Sequence, residues 1–125
     1  PVGGYGIYVD VDGFGNTKYL LYADRLPANS HYDSSDYVVK VIDMEVSEPG
    51  VVIKGLGNVF LNKASIHFTA GNGEVSINQL DPPSPQVSAG QSKNTNAAQV
   101  IFALQNDTAK IKSVIINTSG LIEIK

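Results

Sequence analysis

The stretch of sequence that decides the fold runs from residue 67 to residue 77 and reads HFTAGNGEVSI. Gly71-Asn72-Gly73 separates two predicted strands, and its Asn72-Gly73 pair is the strongest hairpin signal in the chain. On the strand that enters this turn, polar Ser65, His67 and Thr69 alternate with apolar Ile66, Phe68 and Ala70. A period of two predicts one buried face and one wet face. We therefore expect His67 to be an exposed imidazole without a catalytic role.

Further hairpins are predicted on both sides of this one. Residues 4–23 alternate apolar and polar side chains around a turn at Asp12–Asn16, which is the pattern of two paired strands. Near the end of the chain, two apolar strands flank a turn at Thr118–Gly120. The longest strand candidate is Tyr37–Val46, where three valines and one isoleucine within six residues disfavour a helix. Other short strands are expected at Val51–Lys54, Asn58–Asn62, Ser65–Ala70, Glu74–Asn78, Val100–Leu104, Ile111–Ile116 and Leu121–Ile124.

The composition of the chain indicates the same fold class. Valine, isoleucine and threonine make up 30 of the 125 residues, and branching at Cβ suits a pleated sheet better than a helix. Twelve glycines and six prolines supply frequent turns. The sequence therefore predicts a mainly β fold, a single globular domain over residues 1–125 with about nine or ten short strands in two antiparallel sheets packed as a small sandwich.

Composition and motifs exclude several functional classes. A sequence without cysteine has no disulfides, no thiolate metal sites and no cysteine nucleophile. The two histidines, His31 and His67, lie in no recognised nucleophile or zinc motif. The Gly3–Gly6 segment resembles a phosphate-binding loop only superficially, because it leads into a strand rather than a helix. We predict no enzymatic activity, no catalytic residue and no cofactor.

Two loops are rich in carboxylate and amide oxygens, so calcium is one candidate ligand of this protein. Hard cations need several oxygens that converge on a flexible turn. The first loop offers Asp10, Asp12 and Asn16, and the second offers Asp24, Asn29, Asp33 and Asp36. Neither follows the spacing of an EF-hand loop, and Asx-rich turns account for the same residues. We assign no metal ligand from the sequence and keep both interpretations of these loops.

The segment from residue 80 to residue 97, LDPPSPQVSAGQSKNTNA, is the one low-complexity stretch. A long irregular segment in a small domain is typical of a functional loop, and a tolerated surface insertion is the alternative. Its proline run favours a stiff, extended local chain. If the segment is functional, the candidate contacts with a partner protein are Asp81, Pro82, Pro83, Pro85, Gln91 and Lys93.

Nucleic acid is disfavoured as a partner. The chain has a net charge of −3, whereas nucleic-acid binding requires clustered basic residues interleaved with aromatic ones. Lys110 and Lys112 share one predicted strand face, and Lys125 ends the chain nearby. Three lysines make a weak patch, so we expect the partners to be proteins.

Four short motifs occur in a fixed order along the chain. A glycine-aromatic strand at Gly3–Tyr8 (GGYGIY) comes first, and an aromatic strand at Tyr19–Arg25 (YLLYADR) follows and runs into a loop that closes on Tyr32-Asp33. Two late hairpins contain Phe68–Val75 (FTAGNGEV) and Asn117–Ile124 (NTSGLIEI). Their order and spacing resemble the type IV pilin-like superfamily and, more narrowly, the minor pseudopilins of type II secretion and the related minor pilins.

The resemblance implies both a fold and a function. Members carry a small two-sheet β head on an N-terminal hydrophobic helix, so this chain would be the head without its helix, and something upstream of Pro1 would be missing. The implied function is that of a non-enzymatic structural subunit of a pilus or pseudopilus, with other pilin-like subunits and exported protein cargo as partners. The implied location is extracytoplasmic, in the periplasm or at the cell surface, with the helix as an inner-membrane anchor before assembly. The isolated head would be a monomer.

One departure from the family bears on DNA. Minor pilins of this branch that take up DNA carry arginines near the last hairpin, whereas here Gly120 is followed by Leu121. The resemblance therefore does not extend to DNA uptake. A secreted or surface β-sandwich that binds carbohydrate or mediates adhesion is the alternative function, because six tyrosines could supply stacking faces for sugar rings.

Overall fold

The fold is described by a computed structural model for residues 2–29, 31–57, 63–78, 94–95 and 97–125. These residues form ten β-strands and one helical turn. The strands make two antiparallel sheets that pack together, which confirms the predicted mainly β fold with the character of a small sandwich. The strand predicted at Asn58–Asn62 lies outside the described residues.

Two sheets contain all of the described strands. Along the chain the elements are β1 (Val2–Asp10), β2 (Lys18–Arg25), β3 (Tyr37–Asp43), α1 (Met44–Ser47), β4 (Val51–Gly57), β5 (Lys63–Thr69), β6 (Val75–Asn78), β7 (Asn94–Thr95), β8 (Ala97–Leu104), β9 (Asp107–Asn117) and β10 (Ile122–Ile124). The larger sheet has the order β3-β2-β1-β5-β6-β7, and the smaller sheet has the order β10-β9-β8-β4. The hairpins β1–β2, β5–β6 and β9–β10 confirm the three turn-based predictions.

The inner faces of the two sheets bury an apolar core between them. Val9 of β1, Ile53 of β4 and Val100 of β8 form its centre, together with Met44 of α1. A second cluster between the sheets consists of Ile66, Ile77 and Ala98. Full burial of an aliphatic side chain stabilises a fold by about 1.5–3 kcal/mol, so these contacts hold the sheets face to face.

The outer face of the larger sheet, which is turned away from the smaller sheet, is also buried at its centre. Tyr8, Leu20 and Tyr22 form an apolar cluster there. Tyr32 packs against this cluster from the segment between β2 and β3, residues 26–36, which we call the covering loop and of which residue 30 is not described. The stretch of β1 from residue 7 to residue 9 is therefore packed on both of its faces.

The strand predicted at Tyr37–Val46 is shorter than expected. It ends at Asp43, and the chain continues into the single helical turn α1. The Asp43 carboxylate accepts a hydrogen bond from the Glu45 backbone N–H at 3.0 Å and so caps the N-terminus of α1. This bond satisfies the Glu45 N–H without a neighbouring strand, which favours the helical turn over a longer β3. The turn also buries Met44 in the core. Within the described part of the chain, no helix has the length and hydropathy that a membrane crossing requires.

The expectation that His67 is exposed is wrong. His67 and Ser65 face away from the smaller sheet, as the alternation of β5 predicts, but both are buried. The covering loop closes over this face and excludes water from it. A rule that assigns one wet face to a strand fails here, because the segment that covers β5 comes from more than thirty residues earlier in the chain.

Candidate functional site

A group of polar side chains is buried on the outer face of the larger sheet, beneath the covering loop. This buried polar cluster consists of Tyr22, Asp24, Asp36, Ser65 and His67. Gly6 of β1 lies opposite Tyr22 of β2 on one side and opposite His67 of β5 on the other. Directly opposed residues share one face of a sheet, so the tyrosine and histidine side chains meet above the glycine.

Glycines of β1 leave the space that the cluster occupies. A Cβ atom on Gly6 would lie 2.4 Å from the Tyr22 hydroxyl oxygen. A Cβ atom on Gly4 would lie 2.8 Å from His67 Nε2 and 2.2 Å from the Phe68 carbonyl oxygen, and the φ angle of Gly4 is 146°. Other residue types rarely adopt this φ. The glycine-rich start of the chain is therefore a close-packing element beneath Tyr22 and His67.

His67 lies between a hydroxyl group and a carboxylate. Its Nδ1 is 3.1 Å from the Tyr22 hydroxyl oxygen, and its Nε2 is 3.7 Å from Asp24 Oδ2. Nε2 makes no hydrogen bond to any residue that the structure describes. Burial lowers the pKa of His67 below its ordinary value, and the Asp24 carboxylate opposes this shift only in part. Burial also raises the pKa of Tyr22, so the geometry favours a tyrosine hydroxyl that donates to Nδ1 of a neutral imidazole.

The lowered pKa of His67 gives the protein a pH-dependent stability. The unfolded chain takes up the histidine proton near pH 6.5, while the folded protein does so only at lower pH. The contribution of neutral His67 to the free energy of unfolding is therefore expected to be fully present above about pH 7.5. It should decrease as the pH falls through about 6.5 toward the lower pKa that His67 has in the folded protein. Urea unfolding at several pH values between about 5.5 and 8 measures this loss. 

Two histidine variants separate this effect from other titrations. His67→Gln should flatten the pH dependence in that range, because no buried imidazole remains to be protonated. His31→Gln should retain it, since His31 lies in the covering loop and outside the buried polar cluster. A protein that gains stability on acidification would contradict the expectation and would indicate that protonated His67 forms a favourable ion pair with Asp24.

Carboxylates of the buried polar cluster fasten the backbone of the covering loop. Asp36 accepts hydrogen bonds from the N–H groups of Arg25 at 2.8 Å and Asp33 at 2.9 Å. Asp24 accepts one from the Asn29 N–H at 3.2 Å. Hydrogen bonds to charged acceptors are stronger than those between neutral groups, so both ends of the loop are held to the sheet.

The middle of the covering loop is fixed through Tyr32. Its backbone N–H donates to Ser65 Oγ at 2.8 Å. Its ring centroid is 4.7 Å from that of Tyr8 and 5.6 Å from that of Tyr22, within the range of favourable aromatic pairs. The loop is therefore attached to three strands of the larger sheet, β1, β2 and β5.

In each of the two loops considered for calcium, a carboxylate accepts hydrogen bonds from within the chain. Asp10 accepts hydrogen bonds from the Tyr8 hydroxyl at 2.9 Å and from the Gly13 N–H at 2.8 Å. Asp33 accepts hydrogen bonds from the side chain and the backbone of Ser35, and the side-chain bond is the main reason that the pKa of Asp33 is lowered. Among the described residues, no three His, Asp or Glu side chains are placed to hold a metal ion. The hydrogen bonds of Asp10 and Asp33 fit the interpretation of these loops as Asx-rich turns, and the calcium interpretation stays a prediction.

The predicted partner contacts fall where the structure gives no description. The six residues concerned lie outside the described residues, so their role stays a prediction; they are Asp81, Pro82, Pro83, Pro85, Gln91 and Lys93.

The structure does describe the predicted lysine patch. Lys110 and Lys112 line an open groove of about 620 Å³, and Lys125 pairs through its backbone with Ser113, next to Lys112. The structure thus places the three lysines on the smaller sheet.

An apolar surface that sequence reasoning missed lies on the inner face of the larger sheet, where the smaller sheet leaves it uncovered. This open apolar surface consists of Tyr5, Leu21, Tyr37, Val39 and Phe68 and includes a depression of about 240 Å³. Tyr5 is 58% exposed, and Phe68, directly opposite it on β5, is 41% exposed. The alternation of Tyr5 with the core residues Ile7 and Val9 is the signal that could have placed Tyr5 on this face.

The order of groups in the buried polar cluster, hydroxyl to imidazole to carboxylate, is also the order of a nucleophile, its base and an orienting acid in a catalytic triad. A catalytic group must come within hydrogen-bond reach of the substrate. Tyr22, Asp24 and His67 are each 0% exposed, so the covering loop and the sheet separate them from solvent. In this structure the cluster attaches the covering loop to the larger sheet.

Comparison with known proteins identifies no relative from which a function could be assigned to this chain. No family model matches the chain, and no curated protein or solved structure is significantly similar to it. The open apolar surface, the enclosed polar cluster and the four motifs are therefore the features from which a function is inferred.

Proposed function

We propose that this domain is a non-enzymatic structural subunit of a pilus or of a type II secretion pseudopilus, and that it works by assembly with other pilin-like subunits. The observation that carries the proposal is the open apolar surface. Large exposed apolar patches are typical of sites that another structural element covers. The enclosure of Tyr22, Asp24 and His67 supports a role without catalysis.

The position of the open apolar surface favours a helix as its cover. Tyr5 is the fourth residue of β1, so the surface lies beside the point where the chain enters the larger sheet. A helix joined to the start of β1 could turn back over this face and bury its apolar stripe against Tyr5 and Phe68. The proposal thus accounts for aromatic side chains that would otherwise remain in contact with water.

The proposal also specifies partners and location. Other pilin or pseudopilin subunits are the expected partners, together with exported protein cargo. The protein would act outside the cytoplasm, in the periplasm or at the cell surface, after anchoring in the inner membrane through the helix. The head alone is expected to be a monomer, because such proteins would polymerise mainly through that helix.

The gene sequence immediately upstream of the Pro1 codon tests the proposal directly. A short basic leader followed by about 20 apolar residues would support a membrane-anchored filament subunit. A conventional cleaved signal sequence, or a further globular domain at this position, would contradict it.

A tryptophan reporter tests the position of the helix. The sequence has no tryptophan, so Tyr5→Trp places the domain's single tryptophan in the open apolar surface, where it can be excited selectively over the tyrosines. In a chain extended by its natural upstream residues, we expect a blue-shifted emission and weaker acrylamide quenching than in the domain alone. Val46→Trp, at an exposed position in α1, is the matched control and should not change. Equal quenching of the Tyr5→Trp reporter in both chains would contradict a helix on this surface.

A second function is favoured by the same surface. Tyr5 and Phe68 are exposed aromatic rings directly opposite each other on β1 and β5, and exposed Tyr37 lies two strands away from Tyr5, beyond Ala23 of β2. Sugar rings could stack on such exposed rings. A secreted or surface binding module for carbohydrate is therefore the alternative. Binding to one sugar class on a glycan array, lost in Tyr5→Ala, would favour this alternative, and an array without binding would remove it.

A further inference from the structure

The strand β3 forms an edge of the larger sheet and is unusually open. It has seven residues, and all five from Tyr37 to Val41 are exposed. The four apolar ones among these five are 46–58% exposed. An edge strand presents unpaired N–H and C=O groups, and proteins ordinarily shorten, charge or cover such edges.

The other described edges are either shorter than β3 or paired in part with another segment. β7 has two residues and β10 has three, so each is too short to pair with a long segment. β4 has seven residues, but its Ile53 N–H already donates to the Asn16 carbonyl at 2.7 Å. Within the described residues, the backbone of Tyr37–Ile42 makes no hydrogen bond outside its ladder with β2. In this range β3 itself carries one charge, Lys40, and an irregularity in its ladder at Leu21/Tyr22 of β2. Of the described strands, it is the long edge whose outward backbone groups in this range pair with no described residue.

We propose that β3 is an interaction surface for an extended strand of a different polypeptide, which carries an acidic side chain opposite Lys40. Only an extended chain can satisfy a row of unpaired backbone groups. Lys40 is the one charged residue between Tyr37 and Ile42, and a carboxylate directly opposite it in the added strand would form a favourable cross-strand pair. The exposed Val38 and Val41 would contact apolar side chains of the added strand.

The position of Lys40 argues against a second copy of this chain as the partner. Lys40 is the central residue of β3, so a full-length antiparallel pairing of two β3 strands would place Lys40 opposite Lys40. Like charges in directly opposed positions are destabilising. Asp43, the nearest carboxylate of β3, caps α1 and is therefore occupied. The inference rests on this edge alone and does not depend on the pilus assignment.

Synthetic peptides of alternating valine and threonine, matched in length to β3, test the proposal. One peptide carries aspartate at its centre, a second carries lysine there, and a third has N-methylated amides along one edge so that it cannot complete a ladder. We expect the aspartate peptide to slow hydrogen exchange at the β3 amides and to bind about two- to fivefold more tightly than the lysine peptide. Lys40→Glu should reverse this preference, and the N-methylated peptide should not bind.

Three results would overturn the proposal. The first is the absence of any protection of β3 by the aspartate peptide at its solubility limit. The second is binding with the same affinity by all three peptides, which would indicate a nonspecific apolar contact. The third is protection of β3 by self-association of the protein without peptide, which would assign this edge to a second copy. None of these results bears on a helix over the open apolar surface, so the two proposals fail separately.

Discussion

The Gly4→Ala variant is expected to lose about 4 kcal/mol or more of folding free energy, close to the whole stability of an ordinary small domain. The new Cβ atom would lie 2.2 Å from the Phe68 carbonyl oxygen, which is backbone and cannot rotate away. Gly4 pairs with β5, so relief of the clash requires β1 and β5 to separate at the end of their ladder. The φ of 146° adds strain that any side chain would suffer.

Gly71→Ala is the matched control for this variant. Gly71 also has a positive φ, 92°, but a Cβ atom there would have no neighbour within 4 Å. Its replacement should therefore show the backbone strain alone, about 1–2 kcal/mol. Urea unfolding followed by circular dichroism measures both variants. Equal losses for Gly4→Ala and Gly71→Ala would contradict the close approach of β1 to β5.

The second large effect is expected at Tyr22. Tyr22→Ala should destabilise the protein by about 3–5 kcal/mol, because it removes a fully buried ring and leaves a cavity beneath the covering loop. Tyr22→Phe keeps the ring but removes the hydroxyl that pairs with His67 Nδ1, and a buried unpaired nitrogen costs about 1–3 kcal/mol. The two variants separate the packing contribution of Tyr22 from its hydrogen bond.

Tyr5→Phe is the control for the loss of a tyrosine hydroxyl. Tyr5 lies on the open apolar surface, where more than half of the side chain is exposed, so this variant should remain within about 0.5 kcal/mol of the parent. Thermal or urea unfolding gives the differences. If Tyr22→Phe were as stable as the parent, His67 Nδ1 would have another partner and the hydrogen bond to Tyr22 would not attach the two strands.

Local turn chemistry accounts for the part of the fold that the sequence predicts well. Residues 70–74, which contain the Asn72-Gly73 pair, connect β5 to β6, and the Gly73 N–H donates to the Thr69 carbonyl at 3.0 Å. In the last hairpin, the Asn117 side chain accepts hydrogen bonds from the N–H groups of Ser119 and Leu121. Such turns involve only neighbouring residues, so a single sequence is enough to identify them.

The buried polar cluster could not be predicted in the same way. Its members come from β2, β5 and the covering loop, and the pairing of Tyr22 with His67 spans 45 positions in the chain. Polarity alone indicated that Ser65 and His67 face water, because nothing near them in sequence shows that a distant loop folds over them. At Asp43, the end of β3 coincides with one side-chain hydrogen bond, from the Glu45 N–H to the Asp43 carboxylate. The sequence pattern did not indicate this end, because the run of β-branched residues before it favours a longer strand.

The place of β1 in the strand order determines how the domain would respond to mechanical force. β1 lies at the middle of the larger sheet, with an antiparallel neighbour on each side. Ladder hydrogen bonds run perpendicular to the strands, so tension applied at Val2 along β1 would shear two ladders at once instead of unzipping one bond after another. A load that enters the domain through β1 would therefore be shared between β2 and β5, while the same load along an edge strand such as β3 would fall on a single ladder.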